Sequence, residues 1–129
     1  MSGRIFSLNY PVDTLKAKEL QAKIIIDIKN VYPMHEVIPI GSVGKRESTY
    51  MHEDIDIAVE ASDIDELYNI VSSIFPGAVK KESLYIVSIP YIYEEGKHIQ
   101  VDFILMTNPE WTKFRYYCPD YSKGESKYK

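Results

Sequence analysis

The sequence predicts an α+β fold, and three observations predict it. Apolar residues recur at three- and four-residue steps over 13–31 and 62–75, which is helical spacing. They alternate with polar residues over 54–60 and 98–106, which is strand spacing. The order along the chain is helix, strand, strand, helix, strand, strand, with no internal repeat and no low-complexity linker.

The first helix is expected over 13–31, with Asp13 as N-cap after Pro11 and Ala17, Leu20, Ile24, Ile28 and Val31 as its apolar stripe. Pro33 stops it. Val37 to Ile40 reads as a short strand ending at Gly41-Ser42, and Pro39 points to an edge or irregular position. A short helix or turn follows over 43–53, then a second strand over 54–60. Ser62 is expected to open the second helix, with Asp65 at the capping-box position and Ile64, Leu67, Tyr68, Val71, Ile74 and Phe75 facing the core. Pro76-Gly77 closes it. Strands over 79–93 and 98–106 then form a long hairpin about the turn Glu94 to Lys97. Residues 1–107 are expected to form the core domain. Residues 108–129 form a basic, aromatic C-terminal segment with a short helix starting near Pro109. The chain stops without a terminating signal, so a natural continuation is expected.

A chain of 129 residues buries about two-thirds of its unfolded surface without a staple. No apolar run approaches the roughly 20 residues that span a bilayer, and MSGRIFSLNY lacks the apolar core of a signal peptide. A cytoplasmic protein with no membrane partner is expected. Cys118 is the single cysteine, which excludes an intrachain disulfide and makes a zinc site there a poor reading. The formal charge of -4 argues against one large polyanion-binding surface. The charge is uneven: Lys113, Arg115, Lys123, Lys127 and Lys129 face only Asp120 and Glu125 in the tail, whereas the body is acidic. A basic tail of this kind either meets phosphates or is a solvated terminus.

The chemistry concentrates in 40–60. Residues two apart in a strand share a face, so Asp54 and Asp56 project together while Ile55, Ile57 and Val59 fill the opposite side. Two carboxylates about 4 Å apart repel by roughly 4 kcal/mol at an effective dielectric near 20, and a divalent cation is the evident compensation. Asp63 and Asp65 repeat the spacing, but at a helix start, where the dipole explains them and residues two apart do not share a face. Asp102 lies with His98 and Gln100 on one face of the last strand, opposite Ile99, Val101, Phe103 and Leu105. Gly41 lets a phosphate approach the backbone, and Ser42, Lys45 and Arg46 add a hydroxyl and two cations. A side chain at position 41 is thus expected to block phosphate and spare the carboxylates. His35, His52 and His98 have no metal-ligand spacing and read as surface polar residues; Tyr85, Tyr91 and Tyr93 read as one strand's aromatics.

Gly41-Ser42, then Asp54-x-Asp56, then Asp102 in a later strand resemble the hG[GS]...DhD...D signature of the DNA polymerase beta-type nucleotidyltransferase superfamily. Gly44-Lys45 and Trp111, Tyr116-Tyr117 and Glu125 to Lys129 resemble small phage-type members. Glu53 departs from the pattern, standing where a small Ser often precedes the first Asp. The resemblance implies a small mixed β-sheet with helices mainly on one face. It also implies two Mg2+ (or Mn2+) ions, with Asp54 and Asp56 on the metal at the triphosphate and Asp102 completing the site for an attacking hydroxyl. The implied reaction moves a nucleoside monophosphate from a nucleoside triphosphate to a hydroxyl of RNA, a small molecule or a partner protein. The competing readings are an antitoxin-type nucleotidyltransferase acting on or binding a partner protein, a catalytically silent nucleotide-binding module and, more remotely, a two-metal nuclease.

Overall fold

The computed structural model describes residues 9–116 apart from residue 45. The expectations for Lys45, Cys118 and the tail from Tyr117 onward fall outside those residues. Asp13, at the end of the two-residue strand β1 (Val12–Asp13), caps the helix α1 (Thr14–Val31) by accepting from the Lys16 amide. Strand β2 (Val37–Ile40) ends in a 3-10 turn at Ser42–Gly44. Then come β3 (Met51–His52), β4 (Asp54–Glu60), α2 (Ile64–Ile74), β5 (Val79–Lys81), β6 (Ile86–Glu94), β7 (Lys97–Met106) and α3 (Pro109–Tyr116).

Five strands form one mixed sheet in the order β2-β4-β7-β6-β5. Only the β4/β7 pair is parallel, and its register sets Asp54 opposite Gln100 and Asp56 opposite Asp102. Beside the sheet, β1 and β3 pair antiparallel, with Val12 opposite His52. Both long helices cover the same face. Leu20, Ile24 and Ile28 of α1 and Leu67 and Val71 of α2 share one cluster with Ile55, Ile57, Val101 and Phe103. Fully burying each such side chain contributes roughly 1.5–3 kcal/mol. Phe103 anchors the layer by stacking on Phe75, centroids 5.7 Å apart. On the other face, among the described residues, Ile38, Ala58 and Met106 form a small buried apolar cluster, and the polar residues described below share that face with Ile40, Ile86, Pro90 and Ile104.

Four local expectations are corrected. The strand expected over 79–93 is two strands: after β5 a 3-10 turn reaches Tyr85, whose left-handed backbone (φ 57°) folds β5 back along β6. Leu105 N-H donates to the Tyr85 carbonyl at 2.9 Å and holds that reversal, so Tyr85 is a turn residue 60% exposed, not a strand partner of Tyr91 and Tyr93. Val31, expected on the apolar stripe of α1, is 56% exposed at the helix's last position, whereas Ile28 one turn before it is buried. The segment 43–53 holds the strand β3 as well as the turn. Finally, α2 is capped by Asp63, not Ser62: Asp63 Oδ1 accepts from the Glu66 amide at 2.9 Å. Glu66, not Asp65, reaches back, accepting from the Ser62 amide at 2.6 Å. The free residue Asp65 instead pairs with Lys80 on the surface.

This cap assignment is directly testable. Removing the cap carboxylate by Asp63→Ala should cost about 1 kcal/mol in urea unfolding, and Ser62→Ala should cost less, since it leaves the backbone partner of Glu66 intact. The reverse order would return the cap to Ser62.

Candidate active site

Alternation along β4 and the parallel register with β7 bring Asp54, Asp56 and Asp102 together on the face away from the helices. One oxygen of each lies within 4.8 Å of the others. Asp54 and Asp56 are half-buried and Asp102 is 1% exposed. Charges this close repel by roughly 3–4 kcal/mol per pair at an effective dielectric near 20. Burial first, and then the charges of Asp54 and Asp102, push the Asp56 carboxyl up to about 7. Asp102 is steered by two buried donors. Ser88 Oγ, opposite it on β6, donates to Asp102 Oδ1 at 2.6 Å, and Gln100 Nε2 donates to the same oxygen at 2.9 Å. A hard oxygen donor set of this kind suits a divalent cation of the magnesium type, whose charge would offset the repulsion among the three carboxylates.

The glycine-serine turn stands against this triad. Gly41 has φ +87°, and a Cβ built on it would lie 2.6 Å from Asp56 Oδ2. Glycine is therefore required there twice, by its backbone and by its contact with a carboxylate. That contact runs against the expectation that a side chain at 41 would spare the carboxylates, since Asp56 must shift to admit one. Buried Gln21 of α1 ties the two strands at this point, donating from Nε2 to the Asp56 carbonyl at 2.8 Å and to the Ile40 carbonyl at 3.4 Å. Asn9 stitches the other side: its Nδ2 donates to the Glu53 carbonyl and its Oδ1 accepts from the Gln100 amide, both at 2.8 Å.

Of the residues expected to meet phosphate, Gly41 and Ser42 lie beside the acids, and Arg46 lies exposed with its guanidinium 4.6 Å from the Tyr50 ring centre. The decoy pair, Asp63 and Asp65, is used in the cap and in a surface ion pair, and neither belongs to the triad. Glu53 is exposed. His52 departs most from expectation. It is 2% exposed, with Nε2 2.7 Å from Thr14 Oγ1 and Nδ1 3.4 Å from Ser42 Oγ. Burial, then the nearby Arg46 charge, lowers its basicity against the opposing pull of Asp13. His35 is half-buried, its Nδ1 2.7 Å from the Glu60 carbonyl. Sequence reasoning missed Gln21, Ser88 and Asn9. Gln21 carried a signal, being a polar residue next to Leu20 on the apolar stripe of α1, whereas Asn9 and Ser88 carried none.

No protein-family model and no curated protein matches the sequence. Solved structures do match. A cytoplasmic RNA terminal U-transferase superposes with a TM-score of 0.51 at 16% identity, over 72% of this chain and 30% of that one. An antigenic nucleotidyltransferase-like protein from Paracoccidioides brasiliensis superposes with a TM-score of 0.55 at 13% identity, over 89% of this chain and 55% of that one. The fold is that of the nucleotidyltransferases. The chain spans 30% and 55% of the lengths of these two neighbours, so it matches part of each. The resemblance read from Gly41-Ser42, Asp54-x-Asp56 and Asp102 holds at the level of the fold, with the mixed sheet and one-sided helices it implied.

The raised Asp56 carboxyl has a definite sign. Between its ordinary range and about 7 the folded chain keeps a proton that the unfolded chain has released, so stability falls as pH rises through that window. In EDTA, the advantage of Asp56→Asn over the wild type should therefore grow between about pH 4.5 and about pH 8, by at most on the order of 4 kcal/mol. Melting curves at the two pH values check it, and a difference independent of pH would show that Asp56 does not carry this strain. For the turn, Gly41→Ala should weaken Mn2+ binding in the absence of nucleotide, measured by calorimetry, because its Cβ displaces Asp56 Oδ2; unchanged affinity would show that the carboxylate yields without loss.

Proposed function

We propose that this chain is a metal-dependent nucleotidyltransferase that moves a nucleoside monophosphate from a nucleoside triphosphate to a hydroxyl acceptor and releases pyrophosphate. The observation that carries this reading is the meeting of three carboxylates, within 4.8 Å, with a glycine-serine turn on the adjacent strand. A metal-only site or a nuclease leaves that turn without a purpose.

In this reading Asp54, Asp56 and Asp102 hold Mg2+ or Mn2+, which when bound supplies charge neutralisation for an in-line displacement at phosphorus. The chain's own residues do the rest. Gly41 and Ser42 receive the triphosphate through backbone amide and hydroxyl, with Lys45 and Arg46 as cations on the same segment. Ser88 and Gln100 fix the orientation of Asp102 beside the acceptor hydroxyl, and Gln21 fixes the backbone of Asp56 against the end of β2. Positioning and preorganised charge account for most of the acceleration in such a site. The acceptor is a hydroxyl of RNA, a small molecule or a partner protein. We place the reaction in the cytoplasm; no helix among the described residues is long and apolar enough to cross a membrane.

Pyrophosphate release should appear with Mg2+ and at least one of the four nucleoside triphosphates, assayed with and without RNA. Asp56→Asn should abolish it together with the thermal stabilisation by metal and triphosphate. Ser42→Ala should retain activity with triphosphate binding weakened by roughly 1.5–3 kcal/mol, the loss of one hydrogen bond to a charged oxygen. Triphosphate binding without pyrophosphate release under any of these conditions would replace the enzyme by a silent nucleotide-binding module.

A further inference from the structure

His52 is out of place for its segment. Residues 46–51 and Glu53 are exposed, yet the imidazole between them is 2% exposed. The pairing of β3 with β1 turns it inward, opposite Val12 and over the first turn of α1, where Tyr50 closes on it edge-on with ring centres 4.8 Å apart. Its two nitrogens face two hydroxyls, one on each side: Thr14 Oγ1 at 2.7 Å from Nε2 and Ser42 Oγ at 3.4 Å from Nδ1.

The direction of this row turns on which ring nitrogen of His52 carries the proton. Thr14 has one hydroxyl proton and two acceptors in reach, His52 Nε2 at 2.7 Å and the Tyr50 carbonyl at 3.5 Å. The two contacts compete for it, and the 2.7 Å contact has it in the tautomer whose Nε2 accepts. With Nε2 accepting, the neutral ring carries its own proton on Nδ1 and donates it to Ser42 Oγ. The Ser42 oxygen is then occupied as an acceptor, and its O-H is left to donate outward from the turn that abuts Asp56. The Ser42 contact is long at 3.4 Å, and an anion drawing on the Ser42 proton makes the oxygen a better acceptor and shortens it. We infer that His52 is a positioning residue, holding Ser42 through Nδ1-H so that its hydroxyl donates to a phosphate oxygen, with Thr14 fixing the tautomer. Only the identity of the anion as a polyphosphate rests on the nucleotidyltransferase reading.

The test uses the full chain, Mg2+ and inorganic tripolyphosphate, a probe with no base. The amide nitrogen introduced by His52→Asn falls near the place of Nδ1, that of His52→Gln near the place of Nε2. Ser42→Ala and His52→Gln should each weaken tripolyphosphate binding about tenfold, and the double variant should be no weaker than either. His52→Asn should stay within about threefold of wild type. Losses that multiply to about a hundredfold in the double variant, or equal losses in His52→Asn and His52→Gln, would overturn the inference, since a structural histidine behaves in that way. Nitrogen-15 NMR of the wild-type imidazole tests it without any variant: the Nδ1-H tautomer supports it and the Nε2-H tautomer overturns it. A wild-type chain that binds neither tripolyphosphate nor any nucleoside triphosphate overturns this inference and the proposed function together; binding with multiplying losses overturns this inference alone.

Discussion

Three carboxyl groups are held within 4.8 Å of one another, and the β4/β7 register sets two of them side by side. A slip of one residue would turn Asp102 into the helix-covered face and bring Val101 or Phe103 out to the other. The apolar residues between the acids forbid that slip. Ile55, Ile57, Val101 and Phe103 are all fully buried, and at roughly 1.5–3 kcal/mol each their burial exceeds the few kcal/mol of carboxylate repulsion. The hydrophobic face of the sheet thus enforces the polar one.

Around that constraint the polar residues share the work of keeping strand ends in place. Gln21 reaches from α1 to two carbonyls on neighbouring strands, and Asn9 reaches to Glu53 and Gln100. Each bridges backbone groups at the point where β2, β4 and β7 carry the turn or an acid. Ser88 extends the support into β6. The site is consequently a property of four strands and one helix, and no single segment contains it.

The acids and the turn were legible in the sequence because strand alternation is strict: period two places Asp54 with Asp56, and His98 and Gln100 with Asp102, whatever the sheet around them. The same alternation marked β4, and the boundaries of α1 were legible from its helical spacing with Asp13 and Pro33 at the two ends. What was not legible depended on partners distant in sequence. His52 reads as a surface residue until β1 pairs with β3, and Ser88 is one serine among many until it faces Asp102. Ser62 and Asp63 are both good caps by type, and only the backbone conformation at the start of α2 separates them. Tyr85 carried no turn signal at all, since a bulky residue at positive φ is selected by the strands on either side and not by its own preference.

The parallel pairing of β4 with β7 also fixes when the site comes into being. Asp56 and Asp102 are separated along the chain by α2, β5 and β6, so they cannot meet until that crossover has been closed, at the entropic cost of a long loop. The hairpin of β6 and β7 and the helices can form earlier from local contacts. The acids therefore come together in the same closure that sets Ile55 against Val101 and Ile57 against Phe103. A cation that binds only the assembled triad would then draw the chain toward the closed sheet by mass action, making occupancy of the site and integrity of the crossover one equilibrium.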